Sequence, residues 1–280
     1  MEIVKLILLL ISLQITYQIF LRNNQFENFE NNNNRLLVKL QELVFSDTHI
    51  YKKDMELFNK YANLNKWKNI RVLDAGTGFG LHYKYLPKDI YKVGVDKDRL
   101  YLERAEIRNP TGKFKLGNLN DYKLFKFQEF THINCMTDTL ISNTLEDIDL
   151  IIGNFKYWLK KNGILTIHIH DNIEKLDPAP RDFSMMYDNE DDNLKHALTY
   201  FTKFTHDAVF KNLGENVYEY VEKYIVKSGN SINKNTKYNI LPKDVLIKKL
   251  IDNDFILYKK MDLFDSGIED YSLYFFKKNV

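Results

Sequence analysis

The fold is decided by the stretch Val72-Leu73-Asp74-Ala75-Gly76-Thr77-Gly78-Phe79-Gly80, together with a second apolar run that stops at an acid, Val93-Gly94-Val95-Asp96. The first stretch is typical of a strand that passes into a Gly-rich turn, and residues 81–86 can continue it as a helix. A strand, a Gly-rich turn, a helix and a second strand that ends in an acid form half of a nucleotide-binding crevice. The sequence therefore predicts an α/β sheet that binds an adenosine-containing ligand.

Glycine suits this turn for a physical reason. A chain that leaves a buried strand must reverse sharply and let a ligand approach its backbone, and a Cβ would obstruct that approach. Gly76, Gly78 and Gly80 meet this need. Asp96 follows about 20 residues later, where an acid can accept hydrogen bonds from both ribose hydroxyls. The alternative interpretation is a Gly-rich turn that joins a strand to a helix and binds nothing.

The spacing of the glycines separates two classes of ligand. Dinucleotide sites usually have the pattern G-x-G-x-x-G, with a helix N-terminus aimed at a pyrophosphate. Here the pattern is G-x-G-x-G, and Asp74 lies two residues before the first glycine, where it would repel a pyrophosphate but suits a cationic ligand. This spacing disfavours a nicotinamide dehydrogenase.

The two stretches resemble the first and second motifs of the class I S-adenosylmethionine-dependent methyltransferases. The resemblance implies that S-adenosyl-L-methionine is the cofactor, with Asp74 near its methionine amino group and Asp96 on its ribose. It also implies a doubly wound, mostly parallel seven-stranded sheet with helices on both faces and a C-terminal antiparallel hairpin. The residues predicted to bind the cofactor are Asp74, Gly76, Thr77, Gly78, Gly80, Asp96, Lys97, Asn118, Leu119 and Thr137.

A third strand, residues 113–116, ends at Gly117. In the family that the chain resembles, an acid just after this glycine often holds the adenine amino group. Asn118 occupies that place here, and its side-chain carbonyl can accept the same hydrogen bond. Asp121 is the other candidate, although an acid in an exposed loop is its simpler interpretation.

The fourth strand, residues 131–136, leads to Thr137 and Asp138 at the carboxyl edge of the sheet, where ligands bind in such folds. Methyltransferases that act on adenine or glutamine amino groups usually carry Asn/Asp-Pro-Pro-aromatic here, and this chain does not. Those two chemistries are therefore disfavoured. Thr137 or Asp138 contacts the cofactor or the substrate, or else Asp138 only caps the next helix.

The fifth strand, residues 164–171, places His168 and His170 on one face and ends at Asp171. Two histidines two residues apart, without further ligands at a clear spacing, do not indicate a metal site. His170 or Asp171 can instead face the substrate as a general base, because a histidine near neutral pKa can take a proton from an attacking oxygen or nitrogen. The predicted catalytic residues are His170, Asp171 and Asp138, with no metal.

Composition bounds the remaining functions. With 280 residues and 44% hydrophobic content the chain can bury a full core. A net charge of +2 and the lack of a Lys/Arg-rich block give no signal for nucleic-acid binding. The single cysteine, Cys135, excludes an intrachain disulfide and disfavours a disulfide-stapled extracellular fold.

The N-terminus differs from the rest of the chain. Residues 1–22 form a hydrophobic segment, whose uncharged run Leu6 to Leu21 is slightly short of the about 20 residues that span a bilayer. A membrane anchor through residues 3–21, with a cytosol-facing domain, competes with a helix packed on the domain or on a partner, which would leave the protein cytoplasmic. An Asn-rich linker, 23–35, then precedes a methyltransferase-like domain, 36–280.

The C-terminal half predicts an insert at about 172–205, a long strand over 217–226, a helix over 242–253 and two final strands.

The sequence as a whole predicts a methyltransferase whose unidentified acceptor is a small or lipid-like molecule. The alternative is an inactive methyltransferase-like module that acts as a scaffold at a membrane. Nothing in the sequence indicates the oligomeric state.

Overall fold

The computed structural model describes residues 33–45, 48–137, 139–170, 184–187, 194–263 and 271–279. The chain divides into two units after Leu43. Helix α1, Asn33–Val44, begins inside the predicted linker and belongs to the first unit except for its last residue. The rest of the described chain belongs to the second unit.

The second unit alternates strands and helices as the sequence predicts. Its helices are α2, Thr48–Tyr61; α3, Leu81–Tyr85; α4, Arg99–Arg108; α5, Leu145–Trp158; and α6, Lys243–Asp252. Its first five strands are β1, Arg71–Ala75; β2, Tyr91–Asp96; β3, Phe114–Leu116; β4, Phe130–Cys135; and β5, Leu159–His170. The later strands are β6, Ser184–Tyr187; β7, Leu194–Tyr200; β8, Phe204–Gly214; β9, Val217–Val226; β10, Ser231–Asn239; β11, Phe255–Asp262; and β12, Tyr271–Lys278.

A seven-stranded sheet forms the centre of this unit, in the order β11-β12-β5-β4-β1-β2-β3. The five strands from β5 to β3 are parallel, whereas β12 runs antiparallel to both of its neighbours. The prediction of a mostly parallel seven-stranded sheet with a C-terminal antiparallel hairpin is therefore confirmed. The strand order reverses beside β1, and ligands bind at the carboxyl ends of the strands at such a point.

Two apolar clusters cover the two faces of this sheet. Successive residues of a strand point to opposite faces, and Val72 and Leu73 of β1 accordingly belong to different clusters. Helices α5 and α6 pack in the cluster that contains Leu73, and α2 and α3 pack in the one that contains Val72. Helices thus lie on both faces, as predicted.

A second, antiparallel sheet has the order β10-β9-β8-β7-β6. The sequence predicted β9 and its turn into β10 but did not predict a separate sheet, whose described strands extend from Ser184 to Asn239, past the predicted insert at about 172–205. Alternate residues of β8 and β9 are buried, so one face of this sheet is covered. Two hydrogen bonds join β10 to the loop after β4: Asn239 N donates to the Ile141 carbonyl at 2.8 Å, and Asn239 Nδ2 donates to the Asn143 carbonyl at 2.8 Å.

No helix among the described residues is both long and apolar enough to cross a membrane. The predicted hydrophobic segment, 1–22, and linker residues 23–32 lie outside the described residues. The membrane anchor therefore stays a prediction.

His132 on β4 gives the fold a measurable sensitivity to acid. The imidazole is fully buried, and burial lowers the pKa of His132 to about 4, although a contact of 2.9 Å between Nε2 and the Ala62 carbonyl acts in the opposite direction. Between its ordinary pKa of 6.5 and about 4, the unfolded chain binds a proton that the folded chain does not bind. Stability contributed by neutral His132 is therefore lost as the pH falls through this range.

We expect His132→Gln to reduce the loss of unfolding free energy between pH 6.5 and 4 by on the order of 3 kcal/mol, since each pKa unit corresponds to about 1.4 kcal/mol. Urea unfolding at several pH values measures this difference. His196→Gln, at a partly exposed histidine of the second sheet, is the control. Equal pH dependence of wild type and His132→Gln would contradict the assignment.

Candidate functional site

The turn after β1 consists of residues 76–80 and has three glycines in left-handed conformations. The φ angles of Gly76, Gly78 and Gly80 are 69°, 50° and 69°, a region that residues with a Cβ rarely adopt. The turn is fixed to the next strand because Thr77 N donates to the Val95 carbonyl at 2.8 Å. The chain thus reverses at the carboxyl edge of the sheet, as the sequence predicted.

The three glycines have different surroundings. A Cβ on Gly76 would lie 2.2 Å from Thr139 Oγ1, and a Cβ on Gly80 would lie 2.6 Å from Asn109 Nδ2. A Cβ on Gly78 would meet nothing within 4 Å. The first and last glycines therefore allow close packing within the protein, whereas the backbone of Gly78 borders open space that a ligand can enter.

Asp96 closes the next strand beside this open space. Its Oδ2 accepts from Gly78 N at 2.9 Å, and its Oδ1 accepts from Asp98 N at 2.9 Å. Burial raises the pKa of Asp96, while these two N–H groups act in the opposite direction. A carboxylate has about four acceptor positions. Two of them hold the turn and the next loop, and two remain for hydroxyl groups of a ligand.

Asp74 lies deeper than the sequence suggested. Its side chain is 3% exposed, and Thr77 Oγ1 donates to its Oδ2 at 2.6 Å. Burial raises the pKa of Asp74, against the opposing effects of His82, the Thr77 hydroxyl and Lys92. In this arrangement Asp74 and Thr77 stabilise the base of the turn.

The other predicted cofactor residues lie along the same edge. Asn118 is exposed, and its Oδ1 lies 3.3 Å from Asn120 N. Leu119 packs in the core with 7% exposure, and its carbonyl accepts from Asn154 Nδ2 at 2.8 Å. Lys97 is exposed, with its Nζ 3.4 Å from Asn143 Oδ1. The side chains of Asn118 and Lys97 are therefore exposed at this edge, whereas the Leu119 side chain belongs to the core.

Thr137 follows β4 with a φ of 54° and is exposed. The predicted residue Asp138 lies outside the described residues. The alternative that Asp138 caps the next helix is wrong, because α5 begins at Leu145 and its cap is Thr144, whose Oγ1 accepts from Asp147 N at 3.1 Å. The physical reason is that residues 139–143 form turns, held by an Asn143 Nδ2 hydrogen bond to the Thr139 carbonyl at 2.6 Å.

The two histidines of β5 are both buried, His168 with 8% and His170 with 4% exposure. His168 belongs to a cluster that the sequence did not reveal. The Asp54 carboxylate of α2 lies between two imidazoles: Oδ2 is 2.9 Å from His82 Nε2, and Oδ1 is 3.3 Å from His168 Nε2. Predicted residue Asp171 lies outside the described residues.

The second sheet contacts the candidate site through residues that sequence reasoning also missed. Lys234 of β10 donates to Tyr101 Oη at 2.7 Å, and the Tyr101 ring lies 4.8 Å from the ring of Phe79 in the glycine turn. Burial lowers the pKa of Lys234, and Glu222, Asp98 and Asp96 act in the opposite direction. No local pattern of the sequence indicates this contact, because it joins residues 133 positions apart.

Among the described residues, no group of three or more His, Cys, Asp or Glu side chains is placed to hold a metal ion. The site therefore consists of a glycine turn, a carboxylate at the next strand end and polar residues along one sheet edge.

Comparison with known proteins identifies the fold. No family model and no curated protein matches the sequence. Solved structures do match: a S-adenosylmethionine-dependent methyltransferase from Clostridium acetobutylicum, with a TM-score of 0.64 and 14% identity, covers 82% of this chain and 92% of its own. An amino pentose methyltransferase of calicheamicin biosynthesis from Micromonospora echinaspora, solved with S-adenosylmethionine bound, has a TM-score of 0.60 and 13% identity over 82% of this chain and 91% of its own.

A sugar N-methyltransferase from a Streptoalloteichus species matches similarly, with a TM-score of 0.60 and 14% identity over 81% of this chain and 87% of its own. These structures share the fold of this chain at low sequence identity. The chain therefore has the class I methyltransferase fold, as the sequence motifs predicted.

The contacts of buried Asp54 with His82 and His168 predict how the stability of the protein depends on pH. Burial alone would raise the pKa of Asp54, but the neighbouring His168 and His82 outweigh it and hold that pKa below its usual range. A carboxyl whose pKa is lowered in the folded state contributes stability above its ordinary pKa of 3.8 and loses it as the pH falls further.

We expect Asp54→Asn to lower the free energy of unfolding at pH 7 by about 3 kcal/mol, because two buried imidazoles lose their contact with an ionised carboxylate, at about 1.5 kcal/mol each. The difference from wild type should shrink as the pH falls below 3.8. Asp149→Asn, at an exposed acid paired with Lys249 at 2.6 Å, should cost less than about 1 kcal/mol. Urea unfolding measures both, and equal costs for the two variants would contradict the role of Asp54.

Proposed function

We propose that this protein is a S-adenosylmethionine-dependent methyltransferase that acts on a small or lipid-like acceptor. One observation carries the proposal: the open backbone at Gly78 lies beside the Asp96 carboxylate, within the class I methyltransferase fold. A Cβ at residue 78 would project into the space that the cofactor would use, and Asp96 retains acceptor positions for a ribose diol.

Each residue has a defined part in this proposal. Asp96 binds the ribose hydroxyls, the N–H groups and carbonyls of the turn follow the cofactor backbone, and the Asn118 carbonyl receives the adenine amino group. Asp74 contributes negative charge beneath the methionine portion. When bound, the cofactor supplies an electrophilic methyl group on a cationic sulfur, so the chain's main task is to hold the acceptor in line with it.

The class of acceptor is proposed from the structural neighbours. Two of the structural neighbours are named as methyltransferases of an amino pentose and of a sugar nitrogen, which favours a small polar acceptor here. His170, at the carboxyl end of β5, remains the proposed general base, together with Asp171 and Asp138. Membrane association through residues 3–21 remains a separate proposal, suited to a lipid-like acceptor.

Calorimetric titration of the full chain with S-adenosylmethionine, S-adenosylhomocysteine and NAD tests the cofactor class. We expect micromolar binding of the two adenosyl compounds and none of NAD. Asp96→Ala should weaken S-adenosylmethionine binding about 100-fold, because two hydrogen bonds to an ionised group are lost at about 1.5 kcal/mol each. Asp149→Ala, at an exposed acid, is the matched control.

A folded chain that binds neither adenosyl compound would overturn the proposal. Adenosyl binding without methyl transfer to any acceptor would instead favour a module that binds the cofactor without catalysis. One observation favours this second candidate function: Asn118 occupies the position where class I methyltransferases often have an acid.

Gly78 and Gly214 are both left-handed glycines with open space around a Cβ, and they provide a second test with a built-in control. Their φ angles are 50° and 86°, and a Cβ on either one would meet nothing within 4 Å. Gly78→Ala and Gly214→Ala should therefore lower the free energy of unfolding by similar amounts, about 1 to 2 kcal/mol.

Only Gly78→Ala should weaken S-adenosylmethionine binding, by at least about tenfold, because its methyl group takes the place of ligand atoms. Thermal unfolding and calorimetry measure the two effects. Equal cofactor affinity in both variants would show that the cofactor does not approach Gly78.

A further inference from the structure

Thr137 holds an unusual backbone conformation at the edge where the cofactor is proposed to bind. Its φ is 54°, and for a β-branched residue this region is a genuine outlier. Such a conformation costs energy and persists only where surrounding groups determine it. Some specific contact must therefore hold Thr137.

That contact is made by His168. Thr137 N lies 2.8 Å from His168 Nδ1, across the two adjacent strands β4 and β5. A backbone N–H can only donate, so Nδ1 must accept and carries no proton. The proton of the neutral imidazole is therefore on Nε2, on the far side of the ring.

The far side of the ring faces Asp54. His168 Nε2 is 3.3 Å from Asp54 Oδ1, and the second oxygen of Asp54 is 2.9 Å from His82 Nε2. Asp54 is 0% exposed, and the two imidazoles keep its pKa below the usual range despite burial. An ionised carboxylate at this place favours the Nε2–H tautomer of His168, which is the tautomer that Thr137 requires.

Thr139, two residues after Thr137, contacts the glycine turn. Its Oγ1 donates to the Met136 carbonyl at 3.0 Å, and a Cβ on Gly76 would lie 2.2 Å from Thr139 Oγ1. His82 belongs to α3, which directly follows the turn. The chain of contacts from His82 through Asp54 and His168 to Thr137 therefore connects both sides of the candidate cofactor site.

We propose that His168 is a positioning residue for the cofactor site: its unprotonated Nδ1 holds Thr137 in the left-handed conformation, and Asp54 holds the imidazole in the required tautomer. This inference rests on the proposed function, since it gives the backbone conformation of Thr137 a role in binding S-adenosylmethionine. His168 itself does not take part in the transfer of the methyl group.

Two substitutions separate positioning from packing. His168→Asn keeps an acceptor oxygen near the place of Nδ1, and His168→Leu removes the acceptor. We expect His168→Asn to bind S-adenosylmethionine within about threefold of the wild-type affinity. His168→Leu should bind it about tenfold more weakly, which is the effect of one lost hydrogen bond.

Calorimetry on the full chain gives these affinities, and circular dichroism checks that each variant is folded. His196→Leu, on the second sheet, is the control that should retain the wild-type affinity. Wild-type affinity in folded His168→Leu would overturn the inference. If His168→Leu does not fold, the tautomer of His168 in the ligand-free wild-type chain decides alone.

A measurement without cofactor keeps this inference distinct from the proposed function. Long-range proton–nitrogen spectra of the ligand-free chain, with His168 assigned by its absence from His168→Asn, report the tautomer directly. We expect an Nε2–H imidazole and a Thr137 amide signal that shifts in His168→Leu, where the acceptor is removed. An Nδ1–H tautomer would overturn the inference, whether or not the chain binds S-adenosylmethionine.

Discussion

The reversal of the chain after β1 is the constraint on which the rest of the structure depends. Three left-handed glycines in five residues turn the chain away from the sheet, and two of the contacts of the turn require a missing Cβ. Gly76 allows Thr139 to approach from the end of β4, and Gly80 allows Asn109 to approach from the end of α4. The turn therefore sets the spacing between the elements on both sides of β1.

The parts of the fold that the sequence predicted are those encoded by neighbouring residues. The glycine spacing, the apolar runs of β1 and β2 and the acid at Asp96 all lie within 25 residues, and each has a local physical meaning. Asn109-Pro110 likewise stops helix α4 at Arg108, because proline disfavours the α conformation in the residue before it. Once the first half of a doubly wound sheet is recognised, the handedness and order of the remaining parallel strands have few alternatives.

The second sheet could not be predicted in the same way. Strands β8 and β9 alternate buried and partly exposed residues, which indicates a strand but not its partners. The buried face also carries His206, Glu222 and Tyr224, which join in a hydrogen-bonded group inside the sheet. Polar residues at inward positions weaken the hydrophobic pattern from which a core is predicted. The pairing of five strands then depends on contacts that no short stretch encodes.

Asp54 shows a signal that sequence reasoning could have used. Ile50, Asp54 and Phe58 are spaced by four residues and so lie along one stripe of α2, whose apolar members pack in the core. An acid on such a stripe must be paired when buried, and its partners, His82 and His168, lie 28 and 114 positions away in the sequence. Local pattern could therefore have identified the acid but not its partners.

Strand β10, at the edge of the second sheet, couples that sheet to the first. Strand β10 contacts the glycine turn through Lys234, Tyr101 and Phe79, and it contacts the loop after β4 through Asn239. Those two segments are the ones that border the candidate cofactor site. Protein interiors are closely packed and therefore transmit strain. The position of the second sheet is therefore tied to the conformation of the glycine turn. The residues of β10 that contact these two segments are therefore held at a fixed place relative to the glycine turn and to Asp96, which closes the next strand.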